Sequence, residues 1–375
     1  MLIKLKNGIK KLKLFKLFKM KFKLILMNKF IQKELKFGAN NYKSLPVCLS
    51  KGSGIYLYDT NDKKYFDFLS CYSAVNQGHC HPKIINALHK QSKNLTLTSR
   101  AYYNDKLGPY MEYITDIFKF DKVLPMNSGV EAGETAVKIA RKWGYEVKNV
   151  EKNKATILFP INNFWGRTIS ACSSSNDPDC FNNFGPFVDG FKLIPYDNIQ
   201  VLESLFKNDK NIVAYMMEPI QGEAGVLIPS NGYLTKVREL CDKYNVLLIM
   251  DEVQTGLGRT GKLLASHHEN VKPDILCLGK ALSGGVLPIS AVLANNNVMK
   301  CITPGTHGST FGGNPLASEV ATASLKVLLE EKLSENSDKI GKLFRSGLEE
   351  IRKDFILDVR GKGLMNAIEF ENKEI

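Results

Sequence analysis

The stretches Val246-Leu-Leu-Ile-Met-Asp251 and Ile275-Leu-Cys-Leu-Gly-Lys280 decide the fold of this chain. Each begins with a short, continuous apolar run, and each lies between polar segments with a helical pattern. Such runs are typical of strands that are buried on both faces in a parallel sheet covered by helices. The sequence therefore predicts an α/β fold, with a carboxylate and a lysine at one edge of the sheet.

Further elements follow on both sides of this pair. Ile55–Tyr58 and Tyr65–Phe68 flank a turn and predict a β-hairpin. Strands are also predicted at Ala155–Phe159 and Val213–Met217, and helices at Pro82–Ser92 and Gly232–Tyr244. Residues 313–353 are predicted to be helical, and a further strand is predicted to start in the stretch Val359–Phe370. Alternation of strands and helices favours one large α/β domain, followed by the beginning of a smaller one.

The basic charge is concentrated at the N-terminus. The 375-residue chain has a formal net charge of +13, and residues 1–36 hold twelve lysines against one acid, Glu34. The body is nearly neutral, which removes the main support for nucleic-acid binding. The longest apolar run there is Leu24–Met27, far short of the roughly 20 residues that a membrane span needs. Residues 1–36 are interpreted as an organelle presequence, a solvated extension, or upstream sequence that is not translated.

Cysteine and histidine spacing predicts neither disulfides nor a metal site. The eight cysteines include no Cys-x-x-Cys pair, and the close histidine pairs are His79-x-His81 and His267-His268. A metal site would need further ligands in register with these pairs. The cysteines are interpreted as reduced thiols of an intracellular protein.

Polar groups that follow the predicted strands form a candidate site. Asp251 ends the strongest strand, and a carboxylate at that buried edge needs a cationic partner. Lys280 follows the next strand, where an amine in a partly dry pocket has a lowered pKa and can bond to a carbonyl carbon. Ser128 and Glu131 form a capping-box pattern, and Gly129 lets a ligand approach this helix start, a suitable place for an anion. Acid, amine and anion site together indicate pyridoxal phosphate.

Two glycine motifs in the same region fail their structural context. Gly256-Leu-Gly-Arg-Thr-Gly261 matches G-x-G-x-x-G, but a dinucleotide site needs the glycines directly after a strand, and Asp251–Thr255 intervenes. A P-loop needs Ser or Thr where Leu263 stands. We therefore expect these glycines to shape a loop.

Eight stretches carry a resemblance to a known family. They run in family order over residues 37–370, and they are Phe37–Tyr42, Ser73–Pro82, Asn127–Ala136, Phe164–Thr168, Glu218–Gly225, Asp251–Gly256, Gly279–Gly285 and His307–Pro315. The chain resembles the class III pyridoxal-phosphate-dependent aminotransferases of fold type I, and among them the members that act on ornithine. The resemblance implies a large α/β domain with a mostly parallel, seven-stranded sheet and a small α+β domain.

The resemblance also divides the chain into segments. They are a basic extension (1–36), the N-terminal segment of the small domain (37–80), the large cofactor-binding domain (81–312) and an incomplete C-terminal small domain (313–375). In the family an arginine that pairs with the counterpart of Glu223 lies beyond the position of Ile375. We therefore expect the chain as written to be poorly active, above all in the half-reaction with glutamate and 2-oxoglutarate.

The resemblance implies a role for each cofactor-binding residue. Lys280 would bind the cofactor covalently and move the proton, and Asp251 would keep the ring nitrogen protonated. Gln254 would hydrogen-bond the phenolic oxygen, and Phe164 would stack on the ring. The amides of Gly129 and Val130 would bind the phosphate. The resemblance also implies a homodimer with shared active sites, in which Ser309 and Thr310 would reach the phosphate of the neighbouring subunit.

Substrate-binding roles are implied in the same way. Arg167 is suited to bidentate carboxylate binding and would hold the carboxylate far from the reacting amine, with Tyr42 assisting. Tyr72 would lie where ornithine and γ-aminobutyrate enzymes differ, and Glu223 would mask the C-terminal arginine for ornithine and release it for glutamate. The implied reaction moves the δ-amino group of L-ornithine to 2-oxoglutarate. Its products are glutamate and glutamate 5-semialdehyde, which cyclises to pyrroline-5-carboxylate.

Several alternatives stay open. An acetylornithine or γ-aminobutyrate aminotransferase would use the same cofactor chemistry, although Tyr72 and Phe37–Tyr42 favour ornithine. An inactive relative that acts as a regulatory subunit is disfavoured by intact Lys280 and Asp251. Nucleic acid and membrane are not expected as partners. The expected compartment is the cytoplasm, with the mitochondrial matrix as the alternative.

Overall fold

The computed structural model describes residues 28–371, and the predicted basic extension lies outside the described residues up to position 27. The chain divides into two compact units, one ending at Phe68 and the other beginning at Leu69. The division into four segments stays a prediction. Between residues 28 and 371, no helix is both long enough and apolar enough to cross a bilayer.

The first unit contains helix α1 (Lys29–Phe37) and a three-stranded antiparallel sheet. The strands, in spatial order, are β1 (Leu49–Ser53), β2 (Tyr56–Asp59) and β3 (Lys64–Phe66). The predicted hairpin corresponds to β2 and β3. Its turn is fixed by the carboxylate of Asp59, which accepts hydrogen bonds from the backbone amides of Asn61 at 2.8 Å and Lys63 at 3.0 Å.

The second unit contains a seven-stranded sheet, helices on both of its faces, and a C-terminal hairpin. Its helices are α2 (Pro82–Ser92), α3 (Leu107–Phe118), α4 (Gly129–Glu146), α5 (Ile169–Ser173), α6 (Pro178–Phe181), α7 (Ile199–Asn208), α8 (Tyr233–Tyr244), α9 (Asn296–Met299), α10 (Pro315–Glu330) and α11 (Leu333–Glu350). Its strands are β4 (Lys122–Met126), β5 (Thr156–Pro160), β6 (Phe191–Ile194), β7 (Ile212–Met217), β8 (Leu247–Asp251), β9 (Ile275–Leu278), β10 (Ser290–Ala294), β11 (Ile356–Lys362) and β12 (Met365–Phe370).

The large sheet has the strand order β4-β10-β9-β8-β7-β5-β6. Neighbouring strands are parallel from β9 to β6, whereas β10 is antiparallel to both β4 and β9. Every residue of β7, β8, β9 and β10 is buried, which explains why these strands are continuous apolar runs rather than alternating ones. The predicted α/β class with a mostly parallel seven-stranded sheet is confirmed.

Helices cover both faces of this sheet. On one face α4 buries Ala136, Ile139 and Trp143, which recur at helical spacing, against β5, β7 and β9. On the other face α3 and α10 contribute a second cluster that includes Ile114 and Leu325. Because α4 is packed along its whole length, its N-terminus is held firmly at the edge of the sheet where the parallel strands end.

The C-terminal part differs from the prediction in its last strand. The expected single strand from Val359 is a hairpin of β11 and β12, with Gly363 at φ +53° in the turn. The region 313–353, predicted as helical, contains two helices that separate at Lys332, whose φ of +51° is incompatible with a continuous helix. The turn contains only Gly363 and Leu364, so the sequence shows no long loop that would separate the two strands.

Candidate active site

Four neighbouring parallel strands bring polar and aromatic side chains to one edge of the large sheet. Lys280 follows β9, Asp251 ends β8, Glu218 follows β7 and Phe164 lies in the loop after β5. The carboxyl ends of parallel strands are where open α/β sheets bind ligands. Strand topology alone therefore gathers these four residues, which are far apart in the sequence.

A cavity of about 260 Å³ lies at this edge. Its lining comprises Gly129, Val130, Phe164, Trp165, Gly166, Glu218, Glu223, Asp251, Val253, Gln254 and Lys280. Seven of these were predicted as site residues from the sequence. The structure thus brings the predicted lysine, acid, helix start and ring-stacking residue around one space.

The N-terminus of α4 opens onto the cavity, and the predicted capping box is present. The Ser128 side chain accepts a hydrogen bond from the Glu131 amide at 3.3 Å, and the Glu131 carboxylate accepts one from the Ser128 amide at 2.7 Å. A Cβ on Gly129 would lie 2.9 Å from Val253 Cγ1, so only glycine allows this close approach. The first-turn amides and the helix dipole make the position suitable for a phosphate.

Two buried carboxyl groups lie side by side at the inner wall. Burial raises the pKa of Asp251 to about 6, although its carboxylate accepts a hydrogen bond from the Val253 amide at 3.0 Å. Burial and the charge of Asp251 raise the pKa of Glu218 to about 8. A bound cation facing Asp251 would reverse part of this effect, because an opposite charge stabilises the ionised carboxylate.

Lys280 faces these carboxyl groups from the end of β9. Its φ of +43° places a non-glycine residue in the left-handed region, an unfavourable conformation that is typical of functional sites. Burial lowers the pKa of its amine, whereas the carboxylates of Glu223, Asp251 and Glu218 oppose that shift. A lowered pKa increases the fraction of neutral amine, the form that attacks a carbonyl carbon.

Gln254 and Glu223 contact each other at the mouth of the cavity. Gln254 Nε2 donates a hydrogen bond to Glu223 Oε1 at 3.1 Å. The loop after Glu218 passes very close to Gln254, since a Cβ on Gly222 would collide with Gln254 Oε1. Gly222 therefore allows the glutamine side chain to reach the cavity.

The other predicted residues lie outside the cavity lining. Arg167 is exposed, with Cζ 5.6 Å from the centre of the Phe164 ring, and the Tyr72 ring centre lies 6.0 Å from Lys280 Nζ. Ser309 Oγ accepts a hydrogen bond from Asn127 Nδ2 at 3.0 Å. The remaining two, Thr310 and, in the first unit, Tyr42, are exposed. Their roles stay predictions.

The sequence reasoning missed four residues of the lining, Trp165, Gly166, Glu218 and Val253. Glu218 directly follows β7, so the rule that singled out Asp251 would have found it as well. Its Oε1 accepts a hydrogen bond from the Phe164 amide at 3.0 Å and its Oε2 one from Gly222 at 3.1 Å, so it joins two loops of the site. Trp165 has no comparable signal, because its position depends on stacking against Phe159 at 5.8 Å.

Comparisons with known proteins agree with this geometry. A family model described as aminotransferase class III matches residues 37–375. The mitochondrial ornithine aminotransferase of Drosophila melanogaster is 63% identical over 341 residues, which are 91% of this chain and 79% of that protein.

Two solved structures are similar as well. An ornithine aminotransferase from Toxoplasma gondii, whose active site is partially occupied by pyridoxal phosphate, superposes with a TM-score of 0.91. It is 49% identical, over 96% of this chain and 86% of that chain. An acetylornithine aminotransferase from Elizabethkingia anophelis superposes with a TM-score of 0.83 and 55% identity, over 92% of this chain and 84% of that chain.

Pyridoxal phosphate is the cofactor of this family, and the residues of the cavity fit it. The start of α4 offers amides to a phosphate, the buried Asp251 needs a cationic partner such as a protonated ring nitrogen, and Lys280 supplies an amine. Given the family match over residues 37–375 and 63% identity to a relative, the chain belongs to the class III aminotransferases.

Proposed function

We propose that this aminotransferase moves the δ-amino group of L-ornithine to 2-oxoglutarate. The products are glutamate and glutamate 5-semialdehyde, which cyclises to pyrroline-5-carboxylate. One observation carries the proposal: the amine of Lys280 and the carboxyl group of Asp251 line the same cavity as the N-terminus of α4. The names of the fly and Toxoplasma relatives support ornithine as the amino donor.

In this proposal the chain holds the cofactor at three points. The amides of Gly129 and Val130 bind the phosphate, and Asp251 holds a proton on the ring nitrogen. Phe164 stacks on the ring, and Gln254 donates a hydrogen bond to the phenolic oxygen. When bound, pyridoxal phosphate supplies an electron-accepting ring that stabilises negative charge on the carbon that loses its proton.

Lys280 moves the proton of the reaction. Its amine is partly buried, and burial lowers its pKa, which increases the fraction of neutral amine that can accept a proton from the δ-carbon of the donor. Asp251 holds a proton in place instead of moving one: its negative charge keeps the ring nitrogen protonated while Lys280 transfers the proton of the reaction. The two groups thus have different roles that follow from their placement at the ends of adjacent strands β8 and β9.

Charge at the mouth of the cavity supports a terminal amine as the reacting group. Glu223 raises the pKa of Lys280 and accepts a hydrogen bond from Gln254. In the donor half-reaction, with Glu223 in this position, a donor with a carboxylate beside its reacting carbon would meet a negative charge. The δ-carbon of ornithine carries no carboxylate. The α-carboxylate, several bonds away, is assigned to Arg167 with help from Tyr42, and Tyr72 is assigned to donor selection.

A comparison of amino donors tests the proposal. With purified protein, pyridoxal phosphate and 2-oxoglutarate, we expect the highest kcat/KM for L-ornithine and a product that cyclises to pyrroline-5-carboxylate. N-acetylornithine and γ-aminobutyrate serve as the competing donors. A higher kcat/KM for either of them would contradict the proposed substrate.

Acetylornithine is the second candidate donor, because the Elizabethkingia structure at 55% identity is named for it. Acetylation removes the positive charge of the α-amino group but leaves the α-carboxylate and the reacting amine unchanged. Donor discrimination therefore depends on the groups around the α-carbon, where Tyr72 and Tyr42 are proposed to act. The same donor comparison separates the two candidates.

We also propose a homodimer in which Ser309 and Thr310 reach the phosphate of the neighbouring active site. Large aromatic side chains are exposed in the single chain: Phe311, next to Thr310, is 56% exposed and Tyr103 is fully exposed. Exposed aromatic residues of this size are typical of protein interfaces. Sedimentation analysis should give a dimer, and a monomer that binds the cofactor would contradict it.

For the compartment, we propose the mitochondrial matrix in place of the expected cytoplasm. The fly, nematode and rat relatives are named as mitochondrial, and the basic residues 1–36 are compatible with a presequence. A fluorescent protein fused behind residues 1–36 should enter mitochondria. Diffuse cytosolic fluorescence would instead favour the cytoplasm.

A further inference from the structure

The loop Gly256–Gly261, which matched nucleotide-binding motifs in the sequence, carries an arginine that reaches several other segments. Arg259 Nη2 donates to Ser70 Oγ at 2.7 Å and Nε donates to Asn76 Oδ1 at 3.0 Å. Arg259 Nη1 donates to the Leu364 carbonyl at 3.3 Å, in the turn between β11 and β12. The guanidinium group thus connects this loop with two segments that are distant in sequence.

One of these segments, Ser70–Ser73, has an unusual backbone. The φ angles are +51°, +47°, +55° and +74°, so four consecutive non-glycine residues are left-handed. Each such residue costs about 1 kcal/mol or more, and the conformation persists only where surrounding contacts enforce it. Within the turn, the Ala74 amide donates to the Ser70 carbonyl at 3.0 Å. The Ala74 amide also approaches the Cys71 carbonyl at 3.2 Å, and contacts from outside the turn add to these local hydrogen bonds.

The turn carries Tyr72 to the active site. The ring of Tyr72 lies over the Lys280 amine at 6.0 Å, while its own amide donates to the Leu69 carbonyl at 3.0 Å. Asn76 forms a second link between this segment and the loop Gly256–Gly261, because its Nδ2 donates a hydrogen bond to the Leu257 carbonyl at 2.9 Å. The Leu257 carbonyl and the Arg259 guanidinium group therefore bind the Asn76 side-chain amide at its nitrogen and its oxygen, respectively. Asn76 follows the turn that carries Tyr72.

We propose that Arg259 is a positioning residue that holds the Ser70–Ser73 turn in its left-handed conformation and so fixes Tyr72 beside Lys280. Its effect on donor selection rests on the proposed function of Tyr72. A lysine cannot replace it, because one ammonium group cannot reach Ser70, Asn76 and Leu364 at once with the fixed fork of a guanidinium. The glycine motif is thus a structural support for the substrate pocket.

The test compares Arg259→Lys with Arg345→Lys in the full chain with bound cofactor. Arg345 is a matched control because it also binds the β11–β12 turn, donating to the Gly363 carbonyl at 2.7 Å, but it has no hydrogen bond to Ser70–Ser73 in residues 28–371. In Arg259→Lys we expect hydrogen exchange at the Tyr72 and Ala74 amides to be about tenfold faster. In Arg345→Lys it should change by less than about twofold. Equal exchange in the two variants would overturn the proposal.

Kinetics separate this proposal from the function of Tyr72. Arg259→Lys should raise the KM for ornithine by roughly fivefold with little change in kcat, and it should add nothing further in a Tyr72→Ala background. Full additivity in the double variant would overturn positioning through Tyr72. If Tyr72→Ala alone left the ornithine KM unchanged, the proposed function of Tyr72 would be wrong. Faster hydrogen exchange in Arg259→Lys would still support the role of Arg259 in holding the Ser70–Ser73 turn. Ser70→Ala, which removes one acceptor, should reproduce part of the exchange effect.

Discussion

At the scale of single residues, the site depends on ionisable groups that are stable only in combination with a ligand. Asp251, Glu218 and Lys280 are gathered at one cavity, and burial disfavours the charged form of each. Glu218 also joins two loops through backbone hydrogen bonds, but burial of a second carboxyl group beside it is unfavourable unless a cation binds there. The arrangement therefore lowers the stability of the cofactor-free chain and favours the binding of a cationic ring.

Because the ionised Asp251 destabilises the cofactor-free chain, we predict that Asp251→Asn stabilises the cofactor-free protein at neutral pH. The pKa of Asp251 is raised from 3.8 to about 6, so the folded state binds the proton more tightly than the unfolded state. Ionisation therefore costs stability as the pH rises from about 4 to about 6, by roughly 3 kcal/mol in total. Asparagine cannot ionise, and its oxygen can still accept from the Val253 amide.

Thermal unfolding at a series of pH values measures this effect. The midpoint of cofactor-free Asp251→Asn should exceed that of the original chain by a margin that grows between pH 4 and pH 7. Its affinity for pyridoxal phosphate should fall, because the ring nitrogen loses its charged partner. A lower midpoint than the original chain at pH 7 would refute the assigned electrostatics.

At the scale of elements, the N-terminus of α4 is the best-defined part of the proposed phosphate site. Ser128→Ala removes the side-chain cap and should destabilise the protein by about 1 kcal/mol. Because the same turn presents the Gly129 and Val130 amides, pyridoxal phosphate affinity should fall by about fivefold. Titration of the cofactor-free protein with pyridoxal phosphate, together with denaturant unfolding, measures both quantities.

Asn198→Ala is the control for that prediction. Asn198 caps α7 by accepting a hydrogen bond from the Val201 amide at 3.0 Å, and α7 does not line the cavity. Its replacement should cost similar stability while leaving cofactor affinity unchanged. Equal losses of affinity in the two variants would show that the cap of α4 has no special role in phosphate binding.

Elements with continuous apolar sequence were predictable, and those defined by partners were not. Strand β9 lies where the sequence placed it, and β8 is displaced by one residue, because only strands buried on both faces lack polar positions. The reversed direction of β10 left no signal, since parallel and antiparallel strands in a buried sheet have the same apolar composition. The strand ends then located Asp251 and Lys280. Arg259 escaped notice because its partners are up to 189 positions away in the sequence.

At the scale of the whole molecule, shared active sites predict complementation between two impaired variants. Lys280→Ala removes the amine of one site, and Thr310→Ala removes the proposed contact to the neighbouring site. A hybrid dimer of the two contains one site with both residues intact. Random exchange of subunits makes about half of the dimers hybrids, so the mixture should recover about a quarter of full activity.

The measurement is the rate after co-refolding the two variants, compared with each variant refolded alone. Activity equal to the mean of the separate variants would contradict sharing of sites between subunits. A mixture of Lys280→Ala with Asp251→Asn is the control. Both of these residues line the same cavity of one chain, so each site of a hybrid carries one of the two changes, and we expect no recovery of activity.

The central claim is that the cavity at the ends of β8 and β9 binds pyridoxal phosphate through Lys280. It is tested most directly by incubating the purified chain with the cofactor, reducing it with borohydride and mapping the peptides by mass spectrometry. We predict one phosphopyridoxyl group per chain, on the peptide that contains Lys280, and none on that peptide in Lys280→Ala. Labelling of another lysine instead, or no stable labelling of the original chain, would contradict the account.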